Sequence, residues 1–301
     1  MKAKNESTYF ERFNPLNDFL FFKVMGEKGN EVQLLGFLNA VLQHSGKKTI
    51  ETIEILENQS YTKDIANGKS CVLDVLAILT DGTKVNIEIQ LSNQGNMERR
   101  SLYYWSKIYS ESLNEGHDYR ELPNVIAINI IDYPFLPGES VHTFFNLREA
   151  VTPSLILSPA LEIHFLNMVK WRNLSEKDIV NNSLHRWLAW FDEGSPPELV
   201  EEVVNMDNTI KAANERQTHV TQNEEARRAY WSRRKAEHDL ISGLNYARDE
   251  GMEKGLKEGQ EKGLEIAKKN IAKNALAKGL PIEMIHDITG LDLETIKGIK
   301  D

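Results

Sequence analysis

The sequence predicts a mixed α/β fold, in which a β-sheet core is flanked by helices and followed by an α-helical C-terminal region. Residues 70–90 have the pattern of an apolar β-hairpin, and residues 124–132 form a nearly continuous apolar strand. Such a strand is typical of a sheet that is buried on both faces. Helical patterns alternate with these strands, and the order helix, strand, hairpin, helix, strand indicates a small α/β domain on a mixed sheet.

The composition of the chain excludes several classes of protein. The chain has 301 residues, and no apolar run approaches the roughly 18 residues of a membrane span. The N-terminal segment lacks the apolar region of a signal peptide. A single cysteine, Cys71, excludes an intrachain disulfide and a cysteine-rich zinc site. We therefore expect a cytoplasmic protein with no membrane partner.

The net charge of the chain limits the kinds of partner that it can bind. The chain has 36 Lys and Arg against 45 Asp and Glu, a formal net charge of −9. This balance argues against indiscriminate binding to nucleic acid, but it leaves room for a local basic patch. No G-x-S-x-G elbow and no Cys/His pairing is present, so nucleophilic hydrolase chemistry has no support.

The hairpin carries an acidic residue inside its first apolar strand, Asp74. The turn at residues 80–82 ends in Gly82, where a left-handed residue is needed, which suits a three-residue loop closed by a bulge. With that loop, Asp74 lies directly opposite Glu88 on the second strand. A two-residue loop would place Asp74 opposite Ile89 and move Glu88 to the other face of the sheet.

The first of these registers brings two carboxylates and an amide together, because Glu88 and Gln90 share a face in either case. Two close buried carboxylates repel each other and raise one pKa. A divalent cation such as Mg²⁺ would relieve this, since it prefers a few carboxylates, waters and phosphate oxygens. The alternative is that Asp74 lies at an exposed strand edge and that Glu88 is an ordinary solvent-facing residue.

Two helices precede the hairpin. A short amphipathic piece covers residues 18–25, and a longer helix follows Asn30, with Gln33 at the capping-box position. Asp18 has two interpretations. It is either an acid favoured at a helix N-terminus by the dipole, or an acid aimed at the Asp74/Glu88 centre.

A helix is predicted over residues 97–114, with an apolar stripe of Leu102, Trp105 (or Ile108), Tyr109 and Leu113. Arg99 and Arg100 near its start either form a solvated face or bind a phosphate through their planar guanidinium groups. The remaining predicted strands cover residues 49–57, 141–150 and 161–168. From Ser175, a cap-like residue, the chain is predicted to be helical.

A long charged helix is predicted from about residue 222 to 278. Residues 225–280 carry a net charge of about +4, and their densest basic cluster is Arg227, Arg228, Arg233, Arg234 and Lys235. Such a run is either a solvated face or a nucleic-acid contact.

The same helix repeats glycine every four residues, at Gly251, Gly255, Gly259 and Gly263. Each costs nearly 1 kcal/mol of helix propensity, so the repeat favours close association with another helix, or else a flexible tether.

These features together resemble a known family. Asp74 followed by Glu88-Ile89-Gln90 resembles the PD-(D/E)XK nuclease core, with Gln in the position usually held by Lys. More specifically, the chain is similar to the recombination-promoting nuclease (Rpn) family of PD-(D/E)XK nuclease family transposases, over nearly its whole length. The stretches that carry the likeness are NPLNDFLFFKVMG, LDVLAILTDGTKVNIEIQ, ERRSLYYWSKIYSESL, VIAINIIDY, LEIHFL, the glycine repeat and KGLPIEMIHDITGLDLETIK.

The resemblance implies roles for particular residues. Asp74 and Glu88 match the metal-binding acids, Gln90 matches the position that orients the attacking water, and Asp18 matches the acid of the first helix. The backbone carbonyl of Ile89 is expected to be a further metal ligand.

On the following helix, Arg100 and Tyr104 match positions that contact the substrate backbone. The expected function is therefore Mg²⁺-dependent DNA endonuclease activity, with Mn²⁺ or Ca²⁺ as alternative ions, in recombination, mobile-element activity or defence. The alternative is a catalytically degenerate, dimeric DNA-associated or protein-interaction module.

The expected organisation has three parts. Residues 1–170 form the nuclease-like core, residues 171–221 a helical extension, and residues 222–301 the long glycine-repeat helix with a small C-terminal helical motif. A homodimer through the C-terminal helices is expected, since paired subunits could coordinate two cuts.

Overall fold

The computed structural model describes residues 12–56 and 74–299. The chain divides into two compact units, residues 1–235 and 236–301. Residues 71–73, the start of the predicted hairpin strand with Cys71, lie outside the described residues. In the part of the chain that is described, no helix is both long and apolar enough to cross a membrane.

The first unit contains a six-stranded mixed sheet with the order β1-β2-β3-β4-β6-β5. Strand β2 pairs antiparallel with both β1 and β3. Strand β4 pairs parallel with both β3 and β6, and β5 forms the far edge of the sheet, antiparallel to β6. The strand bounds are β1 Ile53–Leu56, β2 Val75–Leu79, β3 Lys84–Gln90, β4 Val125–Ile131, β5 His142–Arg148 and β6 Ile156–Asn167. The predicted mixed α/β fold is confirmed, and every residue of β4 is buried, as its apolar run indicates.

Helices cover both faces of this sheet. Helices α1 (Asp18–Phe21), α2 (Glu31–Leu42) and α5 (Ser183–Phe191) share one apolar core with alternate residues of β2, β3 and β4. We call this side of the sheet the α2 face. Helix α3 (Met97–Ser110) packs on the other side, the α3 face, against residues such as Leu76, Ala127 and Ile131. Strand alternation therefore decides which face each polar side chain reaches.

The hairpin has the predicted three-residue loop. Val75 pairs with Ile87 and Ile78 with Lys84, and the Leu79 N–H donates to the Thr83 carbonyl at 2.9 Å. Gly82 has φ +83°, a left-handed conformation that L side chains rarely adopt. The observed register therefore continues to Asp74 opposite Glu88, and the two-residue alternative is wrong.

The segment before α2 differs from its predicted form. Residues Phe22–Gly26 form a π-helical turn after α1, and Asn30 does not cap α2 with its side chain. Asn30 Nδ2 instead donates to the Lys23 carbonyl at 3.1 Å, and Gln33 Nε2 donates to the Val24 carbonyl at 2.9 Å. Both side chains satisfy carbonyls of the irregular turn, so the predicted capping box was wrong.

Helix α3 ends at Ser110, earlier than residue 114, and its buried stripe is shifted from the predicted one. Ile108 is fully buried, whereas Leu102 is 49% exposed. The Trp105 indole Nε1 donates to the Val125 carbonyl at 3.0 Å. Contact with the sheet, rather than spacing alone, therefore sets the face that α3 buries.

Further helices complete the first unit. Short helix α4 (Met168–Asn173) follows β6, and the predicted helix start at Ser175 is wrong, because α5 begins at Ser183. The Asn182 side chain caps α5 by accepting from the His185 N–H at 3.2 Å. Helices α6 (Pro197–Met206) and α7 (Asn208–Gln222) then lead into α8 (Glu224–Ala277).

In the second unit, α9 (Ile282–Thr289) and α10 (Leu293–Gly298) pack on the end of α8. Ala272, Ile285 and Ile296 form their buried cluster. Within the described residues, a Cβ added at any glycine of the repeat would meet no atom within 4 Å. Met252, Leu256 and Leu264, one position after three of these glycines, are all more than 60% exposed.

Candidate active site

Asp74 and Glu88, which we call the acidic pair, face each other on the α3 face at the start of β2. The Asp74 N–H donates to Glu88 Oε1 at 3.4 Å, and the Ile89 N–H donates to Asp74 Oδ2 at 2.8 Å. Glu88 is 2% exposed, whereas Asp74 is partly exposed. The pair is therefore reachable from solvent on the Asp74 side.

Both carboxyl groups resist ionisation in this environment. Burial raises the pKa of Asp74 to about 6; the Ile89 N–H and Arg100 oppose this rise, and the charge of Asp18 adds to it. Burial and then the charge of Asp74 raise the pKa of Glu88 to about 8, against opposing contributions from Arg100 and Asn86. The protein alone thus neutralises the acidic pair incompletely, so the site favours an additional positive charge.

Arg100, in the first turn of α3, joins the acidic pair to Gln90. Its Nη1 donates to Gln90 Oε1 at 2.7 Å, and its Nη2 approaches Glu88 Oε2 at 3.5 Å. The Gln90 Nε2 donates to the Ser92 carbonyl at 2.9 Å. Glu88 and Gln90 therefore share a face, and a guanidinium group is held where it meets both side chains.

The Arg100 guanidinium is also held by an aromatic ring. Its Cζ atom lies 5.1 Å from the ring centroid of Tyr104, one helical turn further on. Arg100 Nε is buried and has no hydrogen-bond partner within the described residues. Of the two adjacent arginines, Arg100 is thus the one that contacts the acidic pair.

Asp18 lies in the first turn of α1, which is capped by Asn17. Its side chain is half exposed, and Oδ2 lies 3.6 Å from Arg233 Nη1. The charge of Asp18 contributes to the raised pKa of Asp74, so the two carboxylates are close enough to interact. Asp18 therefore stands at a helix N-terminus with its side chain toward Arg233, and its role as an acid of the Asp74/Glu88 centre stays a prediction.

A close contact fixes the strand that carries Asp74. A Cβ added to Gly26, at the end of the π-helical turn, would lie 2.8 Å from Val75 Cγ2 and 2.7 Å from Phe22 Cδ2. Distances this short do not occur for real Cβ atoms, so the turn reaches Val75 only because residue 26 is glycine. The π-helical turn thus packs directly on Val75, the residue that follows Asp74.

Three further polar residues support the site and were not identified from the sequence. Asn86, buried on β3, donates to Glu88 Oε1 at 3.3 Å, and its Oδ1 has no hydrogen-bond partner among the described residues. Ser101 Oγ donates to Asn129 Oδ1 at 3.2 Å, which links α3 to β4 one residue after Arg100. The period of two along β3 signals Asn86, because it shares a face with Glu88, whereas nothing local signals Ser101 or Asn129.

The donor set fits a hard divalent cation. Two carboxylates with raised pKa values and a neighbouring backbone carbonyl at Ile89 are oxygen ligands of the kind that Mg²⁺, Mn²⁺ and Ca²⁺ bind. Among the described residues, no group of three or more His, Cys, Asp or Glu side chains has the arrangement of a metal site. Any cation here would therefore depend on two carboxylates, backbone oxygen and water.

The opposite face of the sheet carries a second buried polar group, which we call the His–Glu network. Glu162 Oε1 accepts from His164 Nε2 at 2.7 Å, and its Oε2 lies 2.8 Å from Lys47 Nζ. His164 Nδ1 and His142 Nε2 share a hydrogen bond of 2.8 Å. Burial opposes ionisation of Glu162, but the hydrogen bonds from His164 and Lys47 outweigh it and lower its pKa to about 2.

Comparisons with known proteins give one result. The family model described as PD-(D/E)XK nuclease family transposase matches residues 15–247, which include every residue of the candidate site. No curated protein matches the chain, and no solved structure matches it. The match covers more than half of the 301 residues. The mixed sheet with flanking helices described above is consistent with the PD-(D/E)XK-type α/β fold. The chain therefore belongs to the PD-(D/E)XK nuclease family transposases.

Proposed function

We propose that the protein is a metal-dependent DNA endonuclease that hydrolyses phosphodiester bonds at the acidic pair. Family membership supports a nuclease-type function. The observation that carries the proposal is the meeting of four side chains beside the start of β2, those of Asp74, Glu88, Gln90 and Arg100. Mg²⁺ is the proposed ion, with Mn²⁺ or Ca²⁺ as alternatives.

Asp74, Glu88 and the Ile89 carbonyl would hold the cation. When bound, the ion would lower the pKa of a coordinated water and neutralise charge on the scissile phosphate. Its charge also favours the ionised forms of both acids, which offsets the cost of their burial. Asp18, whose charge already reaches Asp74, would act as an additional acid at the same centre.

Gln90 and Arg100 together would replace the lysine that the motif usually contains, one by orienting water and the other by supplying positive charge. Gln90 is held between Arg100 and the Ser92 carbonyl, so its amide has a fixed orientation in which it can position the attacking water. Arg100 supplies the positive charge, which favours a phosphate beside the acidic pair. Tyr104 keeps the guanidinium in place through its ring face.

A cleavage assay on supercoiled plasmid tests the proposal. We expect nicking or cleavage with Mg²⁺ or Mn²⁺, and loss of it in EDTA and in Asp74→Ala. Asp81→Ala is the matched control, because Asp81 lies on the same hairpin and binds the Thr83 N–H instead of the acidic pair. Cleavage that survives in Asp74→Ala would exclude this site as the active centre.

A second candidate is a binding module without cutting activity. The observation that favours it is Gln90, because an amide cannot provide the cationic stabilisation that lysine provides. Calorimetric titration with Mn²⁺ or Ca²⁺ separates the two. A nuclease centre binds the ion in wild type and loses it in Asp74→Ala, whereas a degenerate core takes up no ion in either protein and shows no turnover.

The same proposal includes the organisation and setting of the protein. Residues 1–170 form the catalytic core, residues 171–221 extend it, and residues 222–301 pair two subunits, so that two cuts can be coordinated. The exposed Met252, Leu256 and Leu264 beside the glycine repeat support such pairing. Sedimentation analysis of wild type and Leu256→Glu tests it. Recombination, mobile-element activity or defence is the proposed cytoplasmic setting.

A further inference from the structure

The first turns of α8 are fixed on the body of the first unit. Tyr230 is buried, its hydroxyl accepts from the Asn14 N–H at 3.0 Å, and its ring packs edge-on against Phe13. Arg234, one turn later, donates to Glu193 at 2.6 Å and to the Tyr230 hydroxyl at 2.9 Å. The rotation of α8 about its axis is therefore set at these residues, and so is the direction of Arg233 between them.

Arg233 is directed at Asp18. The 3.6 Å separation of Nη1 and Oδ2 is long for an ion pair, and the side chains are 64% and 50% exposed. A solvent-exposed pair of this kind contributes little stability. Asp18 opens the segment whose π-helical turn packs on Val75, the residue that follows Asp74, and the charge of Asp18 acts on Asp74. An exposed, weakly held guanidinium therefore stands at the rim of the acidic pair.

The two guanidinium groups near the acidic pair come from opposite sides of the sheet. Arg100 belongs to α3, which packs on the α3 face. Asp18 and Arg233 belong to helices whose buried residues, such as Leu20 and Tyr230, join the core of the α2 face. A polyanion that crosses the acidic pair would thus meet a positive charge on either side of it.

We propose that Arg233 binds a DNA phosphate that neighbours the scissile one, on the Asp18 side of the acidic pair. The proposal rests on the nuclease function above and extends it to the path of the substrate strand. Arg233 also screens Asp18, so that the strand can approach a centre with three acids. A planar guanidinium suits this role, because it can bind a phosphate through two donors.

Binding of a fluorescein-labelled random-sequence DNA duplex, followed by anisotropy in Ca²⁺ over a series of KCl concentrations, tests the proposal. We expect Arg233→Ala to weaken binding about tenfold and to reduce the salt slope by about one, as loss of one phosphate contact does. Arg228→Ala is the matched control, because Arg228 is exposed on the same helix and pairs with Glu224. It should keep the wild-type affinity and slope, and Arg233→Lys should recover the slope.

The outcomes separate this proposal from the nuclease function. If wild type cleaves DNA but Arg233→Ala and Arg228→Ala bind alike, the phosphate contact is refuted and the nuclease function stands. If binding depends on Arg233 but cleavage is never seen, the contact stands and the nuclease function is refuted. A wild type that neither binds nor cleaves DNA refutes both.

Discussion

Glu88 and Glu162 are both buried in the same sheet, at 2% and 8% exposure, but on opposite faces and with opposite pKa shifts. Burial disfavours the charge in both. At Glu162, Lys47 and His164 more than compensate, and the pKa falls to about 2. At Glu88, the nearby Asp74 adds repulsion, Arg100 compensates in part, and the pKa rises to about 8.

The difference distinguishes a structural carboxylate from one that is prepared to bind something. The His–Glu network satisfies the charge of Glu162 within the protein, and removal of that carboxylate would take away the acceptor of the buried His164 ring. The acidic pair remains costly when ionised and therefore gains from a cation supplied from outside. Charge balance, more than burial or residue type, separates the two faces.

The largest expected effect is on activity. Glu88→Gln keeps the shape of the side chain but removes one ligand charge, so we expect cleavage to fall on the order of 10³-fold, about 4 kcal/mol of transition-state stabilisation. Single-turnover cleavage of a labelled duplex measures it. Folded Glu162→Gln is the control and should cleave at the wild-type rate, since it lies on the other face. Wild-type cleavage by Glu88→Gln would remove the distinction.

The next largest effect is on stability, and here we expect the loss in the Glu162 variant. Glu162→Gln leaves Lys47 and His164 without their anionic partner, so we expect the free energy of unfolding to fall by about 3 kcal/mol. Urea denaturation followed by tryptophan fluorescence measures it. Glu121→Gln is the matched control, since Glu121 also pairs with a histidine but is 57% exposed, and it should change stability by under about 0.5 kcal/mol. An equal effect of both substitutions would contradict the proposed role of burial.

The pH dependence of stability sharpens the comparison further. Without metal, the Glu88 carboxyl is uncharged in both the folded and the unfolded protein below about pH 4.5. Between about pH 4.5 and 8 it ionises in the unfolded state only, because its folded pKa is raised, so the stability of the fold falls as pH rises through this window. Glu88→Gln should therefore match wild type at low pH and exceed it above this window, by on the order of 2 kcal/mol.

The contribution of Glu162 to stability depends on pH with the opposite sign. Its lowered pKa stabilises the fold above about pH 4.5, and this contribution is lost as pH falls toward about 2. The penalty of Glu162→Gln should therefore disappear in acid. Unfolding curves for both variants in EDTA across these windows measure the two trends. Parallel trends would show that the two faces do not differ in charge balance.

The smallest expected effect concerns the missing lysine. Gln90→Lys restores the usual motif, but its ammonium would lie beside Arg100, whose Nη1 is 2.7 Å from Gln90 Oε1. We expect cleavage to fall by about tenfold because the two cations repel each other. The double variant Gln90→Lys/Arg100→Ala should recover part of the loss, and a double-mutant cycle measures the coupling. Faster cleavage by the single variant would show that Arg100 does not replace lysine.

Much of the site could be predicted from short-range patterns. The turn that ends in Gly82 fixed the loop length, and the loop length fixed Asp74 opposite Glu88. The period of two placed Gln90 on the same face as Glu88, and both were found there. These relations are local, because they depend on the parity of a strand and the conformation of one turn.

Local patterns failed where distant segments meet. Asn30 and Gln33 read as a capping box, but the carbonyls of a π-helical turn recruit both side chains. The helical period of α3 predicted a buried Leu102, which is 49% exposed, whereas Ile108, the alternative to Trp105 in the predicted stripe, is fully buried. Nothing near Arg233 in the sequence indicates Asp18, more than two hundred residues earlier. Such contacts depend on which surfaces the packed core brings together.

By itself, the sequence determined the α/β class, and it offered Asp74 opposite Glu88 as one of two hairpin registers, since these follow from side-chain period and turn chemistry. Only the tertiary structure decided which carboxylates are compensated. Lys47 reaches Glu162 across the α2 face, and Arg100 reaches Glu88 across the α3 face only in part. The charge of a buried acid depends on partners that folding brings from distant parts of the chain, and a linear pattern does not contain them.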